Sequence, residues 1–221
     1  MEARFRADYP GEFVIVNTLW EGGKRQEQRE WIANPIENQH ISGRAACIGS
    51  GDSRPAGFDY RILQRHRGGL LGSLKLQTYG TGEIAQDMRL DFAVDVEPEI
   101  LQKLIETNYY EDNVVYTTGR NCIANPGDFY LIPQNPRLLM PALPIYLAAF
   151  DGHREIFLLG YSEQMQFDNS RWFDDVNQVF TAYTGVKFWL VGEPTIMPDL
   201  WLERANVSTM TYRDFIGYCD V

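Results

Sequence analysis

Glu155-Ile156-Phe157-Leu158-Leu159-Gly160 is the stretch on which the fold turns. A short, continuous apolar run closed by glycine reads as a strand buried on both faces. An amphipathic helix follows it. Asn169 or Ser170 caps this helix, and Asp174 and Asp175 complement its N-terminal dipole. Trp172, Phe173, Val176, Val179, Phe180 and Tyr183 form one stripe along it, and Gly185 ends it. Lys187-Phe188-Trp189-Leu190-Val191 is then a second apolar strand. Strand, helix and strand in this order predict a parallel pair with the helix crossing over one face.

Working towards the N-terminus, the same alternation recurs. Arg44-Ala45-Ala46-Cys47-Ile48-Gly49 is a short buried strand, Tyr60 to Arg67 a helix, and Leu70-Leu71-Gly72-Ser73-Leu74 a strand. Asp91 to Val96 is a third strand. Pro98 opens a helix at its favoured first position, with Ile100, Leu101, Leu104 and Ile105 on one face. Asn113 to Thr118 and Asp128 to Ile132 are further strands, and Pro144 to Phe150 is a helix stopped by Gly152. Asn206 to Met210 and Tyr212 to Cys219 close the chain as a strand and a helix. The expected fold is α/β, a Rossmann-like and mostly parallel sheet with helices on both faces.

Residues 1–43 read differently. Glu12 to Trp20 is rich in β-formers, Glu21-Gly22-Gly23-Lys24 supplies a turn, and Gln26 to Ile32 returns. An N-terminal β-hairpin appendage over 1–43 and a Rossmann-like domain over 44–221 are the expected units.

Composition narrows the function classes. The 221 residues are 44% hydrophobic and 23% charged, which suits a globular protein. No apolar run approaches the ~20 residues needed to span a bilayer, and the first residues lack the apolar core of a secretion signal. Cys47, Cys122 and Cys219 form no metal-binding spacing and suit a reducing compartment, so a cytoplasmic location and no membrane partner are expected. A formal charge of −10 argues against a surface that grips nucleic acid everywhere, while Arg61, Arg65, His66 and Arg67 leave room for a local basic face.

Ligands of such sheets bind beyond the carboxyl ends of the strands. Three ends carry suitable groups. Gly49-Ser50-Gly51-Asp52-Ser53 allows main-chain amides to approach a phosphate, or is a tight turn with a helix cap. Asp95-Val96-Glu97 places two carboxylates on one side of an extended segment. They suit a divalent cation or a general base, or else favour the helix that Pro98 starts. Gly160-Tyr161-Ser162 offers an aromatic for a nucleobase or sugar, or is an ordinary loop, and Arg120 in the polar loop Thr118 to Asn121 offers charge for a phosphate. His40, His66 and His153 are expected at the surface. No Ser-His-Asp order, phosphate-loop lysine or zinc-helix motif is present.

The order of these features resembles the sialyltransferase-like glycosyltransferases and the related motility-accessory-factor proteins. Cys47-Ile48-Gly49-Ser50-Gly51-Asp52-Ser53, Asp91 to Pro98, and Arg154 to Ser162 carry the likeness, which spans Arg44 to Thr184. Ser50 stands where that family has a donor-contacting asparagine, Asp52-Ser53 where it has Pro-Ser, and its catalytic histidine has no counterpart. The resemblance implies a nucleotide-sugar donor, UDP- or CMP-linked, held by Gly49, Ser50, Gly51, Asp52, Ser53, Arg120, Gly160, Tyr161 and Ser162. It implies a divalent cation on Asp95 and Glu97, or Asp95 and Glu97 as catalytic carboxylates. The N-terminal region also resembles small phage proteins, which implies a hydroxymethylated pyrimidine in duplex DNA as acceptor, in a host cytoplasm. A non-catalytic nucleotide-binding or host-interaction protein and a methyl-transfer enzyme are the alternatives left open.

Overall fold

The computed structural model describes residues 12–33, 43–51, 63, 76–134, 136–161, 171–192 and 197–219. Its centre is an eight-stranded sheet in which every neighbouring pair is parallel. The strands are β3 (Arg44–Ile48), β4 (Gln77–Thr81), β5 (Phe92–Val94), β6 (Val114–Thr117), β7 (Tyr130–Leu131), β8 (Glu155–Leu159), β9 (Lys187–Val191) and β10 (Val207–Met210). Their order across the sheet is β10-β9-β8-β3-β4-β5-β6-β7. The chain therefore starts in the middle at β3, builds outward to β7, and returns to the other side of β3 with β8. That reversal makes the β3/β8 boundary the switch point of the sheet.

Parallel pairing exposes each strand to two covering layers, and alternate residues point to opposite layers. Ala45, Cys47, Ile156, Leu158, Phe188 and Leu190 enter one core. Above them lie α5 (Leu143–Phe150) and α6 (Arg171–Ala182). Ala46, Ile48, Ala93, Phe157, Leu159 and Val191 enter the other, with Leu101 and Leu104 of α2 (Pro98–Glu106) and Phe215 of α8 (Tyr212–Cys219). Each fully buried Ile, Leu or Phe contributes about 1.5–3 kcal/mol, so the two cores together fix the alternation read from the sequence.

Shorter helices link the strands: α1 (Gly82–Asp87), α3 (Tyr109–Asp112), α4 (Gly119–Ala124) and α7 (Asp199–Leu202). Thr81 caps α1 by accepting from the Ile84 amide, and Thr118 caps α4 by accepting from the Asn121 amide. Asn206 closes α6 from the far end, its side-chain amide donating to the carbonyls of Phe180, Tyr183 and Val186. Pro98 begins α2 as expected.

β1 (Glu12–Glu21) and β2 (Lys24–Ala33) form a separate antiparallel hairpin, paired from Glu12 with Ala33 to Glu21 with Lys24. Gly22 and Gly23 at its tip have φ of 58° and 77°, the two positive values that a tight primed turn needs. The hairpin runs beside β7 and α4. No helix among the described residues is long and apolar enough to cross a membrane.

Several expectations need correction or placement. The strand predicted at Leu70 to Leu74 and the helix at Tyr60 to Arg67 lie outside the described residues, except that Leu63 is helical and buried. Beside β3, on the side away from β8, lies β4, a polar strand that periodicity did not reveal. Thr118 to Asn121, read as a loop, is instead the capped start of α4. His153, expected at the surface, is fully buried. The Tyr79 hydroxyl donates to Asp151 Oδ2 at 2.6 Å and lies 3.0 Å from His153 Nε2. A phenol has one proton to give, so Nε2 is the donor in the second contact.

Candidate functional site

Asp95 follows β5 directly and is only 3% exposed. Its position is fixed from two sides. Oδ2 accepts from the Gly82 amide at 3.0 Å, and Oδ1 accepts from the Glu97 amide at 2.9 Å. Gly82 matters because it has no side chain: a Cβ there would sit 2.7 Å from Asp95 Oδ2 and 2.6 Å from Ile100 Cγ2. Asn121, buried at the start of α4, donates to the Val96 carbonyl and to Thr117 Oγ1, both at 3.0 Å, and so steadies the segment after Asp95.

Burial pushes the Asp95 carboxyl up to about 6, against the main-chain amides of Glu97, Gly82 and Val96, which lower it, while the charge of Glu83 adds to the rise. Desolvation disfavours the ion more than two or three amides repay. A carboxylate oxygen can accept twice, so each oxygen keeps a lone pair for a ligand. This group is ionised at neutral pH yet holds a proton more readily than an ordinary aspartate, which is what a general base requires.

A cavity of about 400 Å³ opens over this carboxylate. Thr81, Glu83, Asp95 and Glu97 form its polar side. Val96 and Ile100 beside them, with Leu138, Leu139, Met140, Pro141 and Trp172, supply the apolar lining. The apolar wall is held in place. The Leu139 amide donates to the buried carboxylate of Asp175 at 2.8 Å, and Arg171 pairs with the other oxygen of that carboxylate at 3.3 Å. Trp172 packs against Phe173 and edge-on to Trp201, whose indole N–H donates to the Phe173 carbonyl. The cavity is therefore built before any ligand arrives.

The glycine turn plays a different part. The Gly49 amide donates to the Leu159 carbonyl at 2.7 Å, and the Gly51 amide donates to the Gly160 carbonyl at 2.9 Å. Gly160 has φ of +73°, and a Cβ on it would lie 2.6 Å from the Gly49 carbonyl oxygen. A Cβ on Gly49 would meet the Gly160 oxygen at 2.8 Å and the Tyr161 ring at 3.1 Å. Close approach is the reason for the glycines, but what approaches is the neighbouring strand end. Tyr161 is fully buried in the same core as α5 and α6, packed against Gly49.

The predicted residues thus fall into separate groups. Asp95 and Glu97 meet in the cavity. Gly49, Gly51, Gly160 and Tyr161 meet at the β3/β8 junction, with Ser50 exposed beside them. Arg120 is exposed at the start of α4 and is not part of the cavity lining. Asp52, Ser53 and Ser162 lie outside the described residues. Among the described residues no group of three or more His, Cys, Asp or Glu side chains is arranged to hold a metal ion. Asp95 and Glu97, the pair expected to hold a divalent cation, are not joined by a third such side chain among them in a metal-holding group.

Sequence inspection missed the apolar wall, Thr81, Glu83 and Trp172 as cavity residues. Trp172 was legible only as a core position on its helix. Leu138 and Leu139 precede a single 3-10 turn, Met140–Ala142, too short for periodicity to mark it. Comparison with protein-family models, with curated protein sequences and with solved structures finds no match to this chain.

Proposed function

We propose that the chain is a group-transfer enzyme of the glycosyltransferase type, with Asp95 as the base that takes the proton of an acceptor hydroxyl. The observation that carries this reading is a single carboxylate. It is buried, pushed up to about 6, pinned by two amides and set in a preformed cavity at the carboxyl ends of parallel strands. In the transfer step the acceptor O–H proton passes to Asp95, and the oxygen bonds to the anomeric carbon of the donor. The bond from that carbon to the nucleotide phosphate breaks, and the leaving group departs with the electron pair.

Glu97 donates its backbone amide to Asp95, which lowers the carboxyl, and its exposed side chain lines the cavity, while the charge of Glu83 raises the carboxyl. The donor is a UDP- or CMP-sugar lying over the strand ends beside exposed Ser50. The amides of Gly49 and Gly51 are taken by β8, so they do not cradle its phosphates. Cys47, Cys122 and Cys219 are buried thiols outside any disulfide, and burial pushes the Cys47 thiol well up and Cys122 up to about 12. Neither thiol is a nucleophile near neutral pH. Buried thiols outside disulfides suit the reducing cytoplasm.

The test is donor turnover by the wild-type protein and by Asp95→Asn, across a panel of UDP- and CMP-sugars with mixed hydroxyl acceptors. The wild type is expected to release nucleotide with a rate that falls through about pH 6 on acidification, and Asp95→Asn to lose transfer by about 100-fold or more while keeping its circular dichroism. Wild-type rates in the folded variant would remove Asp95 from the mechanism. Tight nucleotide binding with no turnover in either protein would instead select a nucleotide-binding module.

A further inference from the structure

The cavity has an unequal lining that bears on what it accepts. Its polar side carries three carboxylates, Glu83, Asp95 and Glu97, and among the described residues no lysine, arginine or histidine lines it. Its other side is apolar and ends in an indole held by two neighbouring aromatic rings. Arg120, the cation expected from the sequence to meet a phosphate, is exposed and outside the lining. At about 400 Å³ the cavity is in the lower part of the range for small-molecule sites, about 300–1,000 Å³.

We propose that this cavity takes a small ring-bearing alcohol that carries no negative charge, with the ring against Trp172 and Met140 and the hydroxyl on Asp95. An anionic ligand meets three like charges and no counter-charge, and loses its hydration on entering. A neutral or cationic ligand meets no such penalty, and an ammonium gains from Glu83 and Glu97 at the mouth. The apolar wall supplies affinity through a ring, and the fixed carboxylate supplies orientation through one hydrogen bond. The same lining turns away a polyanion, so duplex DNA is not the acceptor and the donor diphosphate stays outside this cavity. This assignment rests on the base role given to Asp95, and it names the acceptor class for that base.

The experiment uses three probes that share one ring and one hydroxymethyl group: para-(aminomethyl)benzyl alcohol, para-methylbenzyl alcohol and para-(hydroxymethyl)benzoate. Calorimetric titration of the full-length protein near neutral pH ranks them. The amine and the methyl compound are expected to bind about tenfold or more tightly than the carboxylate. Glu83→Gln combined with Glu97→Gln should shrink that gap, since both side chains are exposed and their exchange leaves the core intact. A short duplex containing hydroxymethylcytosine should not displace the amine probe.

Equal binding of all three probes would overturn the proposal. So would no binding of any probe at millimolar concentration, or displacement of the amine by the duplex. The base assignment fails separately. If the charge ranking holds while Asp95→Asn transfers normally, the acceptor class stands and the base does not. If Asp95→Asn is inactive while the three probes bind alike, the base stands and the acceptor class does not.

Discussion

Replacing Asp95 by Asn should change the pH dependence of stability by an amount that the structure fixes. The carboxyl moves from its ordinary 3.8 to about 6 on folding because it is buried. That gap corresponds to about 3 kcal/mol. The sign follows from proton counting. Below about pH 3.8 both the folded and unfolded chains hold the proton, and the contribution of Asp95 is fully present. Between there and about 6 the folded chain keeps a proton that the unfolded chain releases, so stability falls as pH rises. Above about 6 the whole amount has been lost.

Asparagine does not titrate, so the variant lacks this loss. Subtracting the two unfolding free energies cancels every other group, including Asp151. The variant should gain about 3 kcal/mol on the wild type as pH rises from about 3.5 to about 7. A constant offset opposes it. The amides of Gly82 and Glu97 each use a separate carboxylate oxygen, and asparagine has one acceptor oxygen, so one amide faces an NH₂ at a cost of about 1–3 kcal/mol. The variant is therefore less stable in acid and close to the wild type at neutral pH. Urea titrations followed by tryptophan emission at a series of pH values measure this difference. A difference that stays flat within about 0.5 kcal/mol would show that Asp95 is not raised, and the base assignment would lose its physical ground.

Other sites respond in their own ways. Gly160→Ala forces a side chain into a left-handed backbone and against the Gly49 carbonyl at 2.6 Å, so a loss of about 3 kcal/mol or more is expected in the same titrations. A neutral result would mean that the strand ends can separate. Asp175→Ala leaves the Leu139 amide without its 2.8 Å partner, and should cost about 1–3 kcal/mol and weaken probe binding several-fold by loosening the apolar wall. Lost stability with unchanged probe affinity would detach Asp175 from the cavity. Tyr79→Phe removes the hydrogen bond that lowers Asp151, which burial already pushes up to about 6, so that carboxyl should titrate higher still by carbon-detected NMR. An unmoved or lowered titration would assign the balance at Asp151 to other groups.

Strands buried on both faces were the most legible parts of this sequence. Ile156 to Leu159 and Phe188 to Val191 have no polar residue to blur them, and both lie where periodicity placed them. Pro98 marked the start of α2 for a reason specific to its ring. β4 escaped notice because Gln77, Thr78 and Thr81 are polar residues that are nonetheless buried. Thr78, for example, exchanges hydrogen bonds with Asp91 through its amide, its hydroxyl and the Asp91 amide. No local pattern announces such a partner.

The site divides in the same way. Asp95 was legible because it ends an apolar strand, yet the wall facing it comes from Leu138 to Pro141 and from Trp172, far away in the chain. The glycine turn shows a subtler limit. Absence of a side chain says that something comes close, and it does not say whether that is a phosphate or the backbone of Gly160.

The clasp between Gly49, Gly51 and Gly160 also governs how this molecule can move. Two halves of the sheet, β3 to β7 and β8 to β10, are riveted at the end where domains of this architecture ordinarily gape. Bending between the halves would break two main-chain hydrogen bonds and pull apart surfaces too close for even one methyl group. The sheet is thereby a stiff anvil beneath the cavity. In deuterium the amides of Gly49 and Gly51 should exchange at the slow pace of the sheet interior, although both sit in a turn.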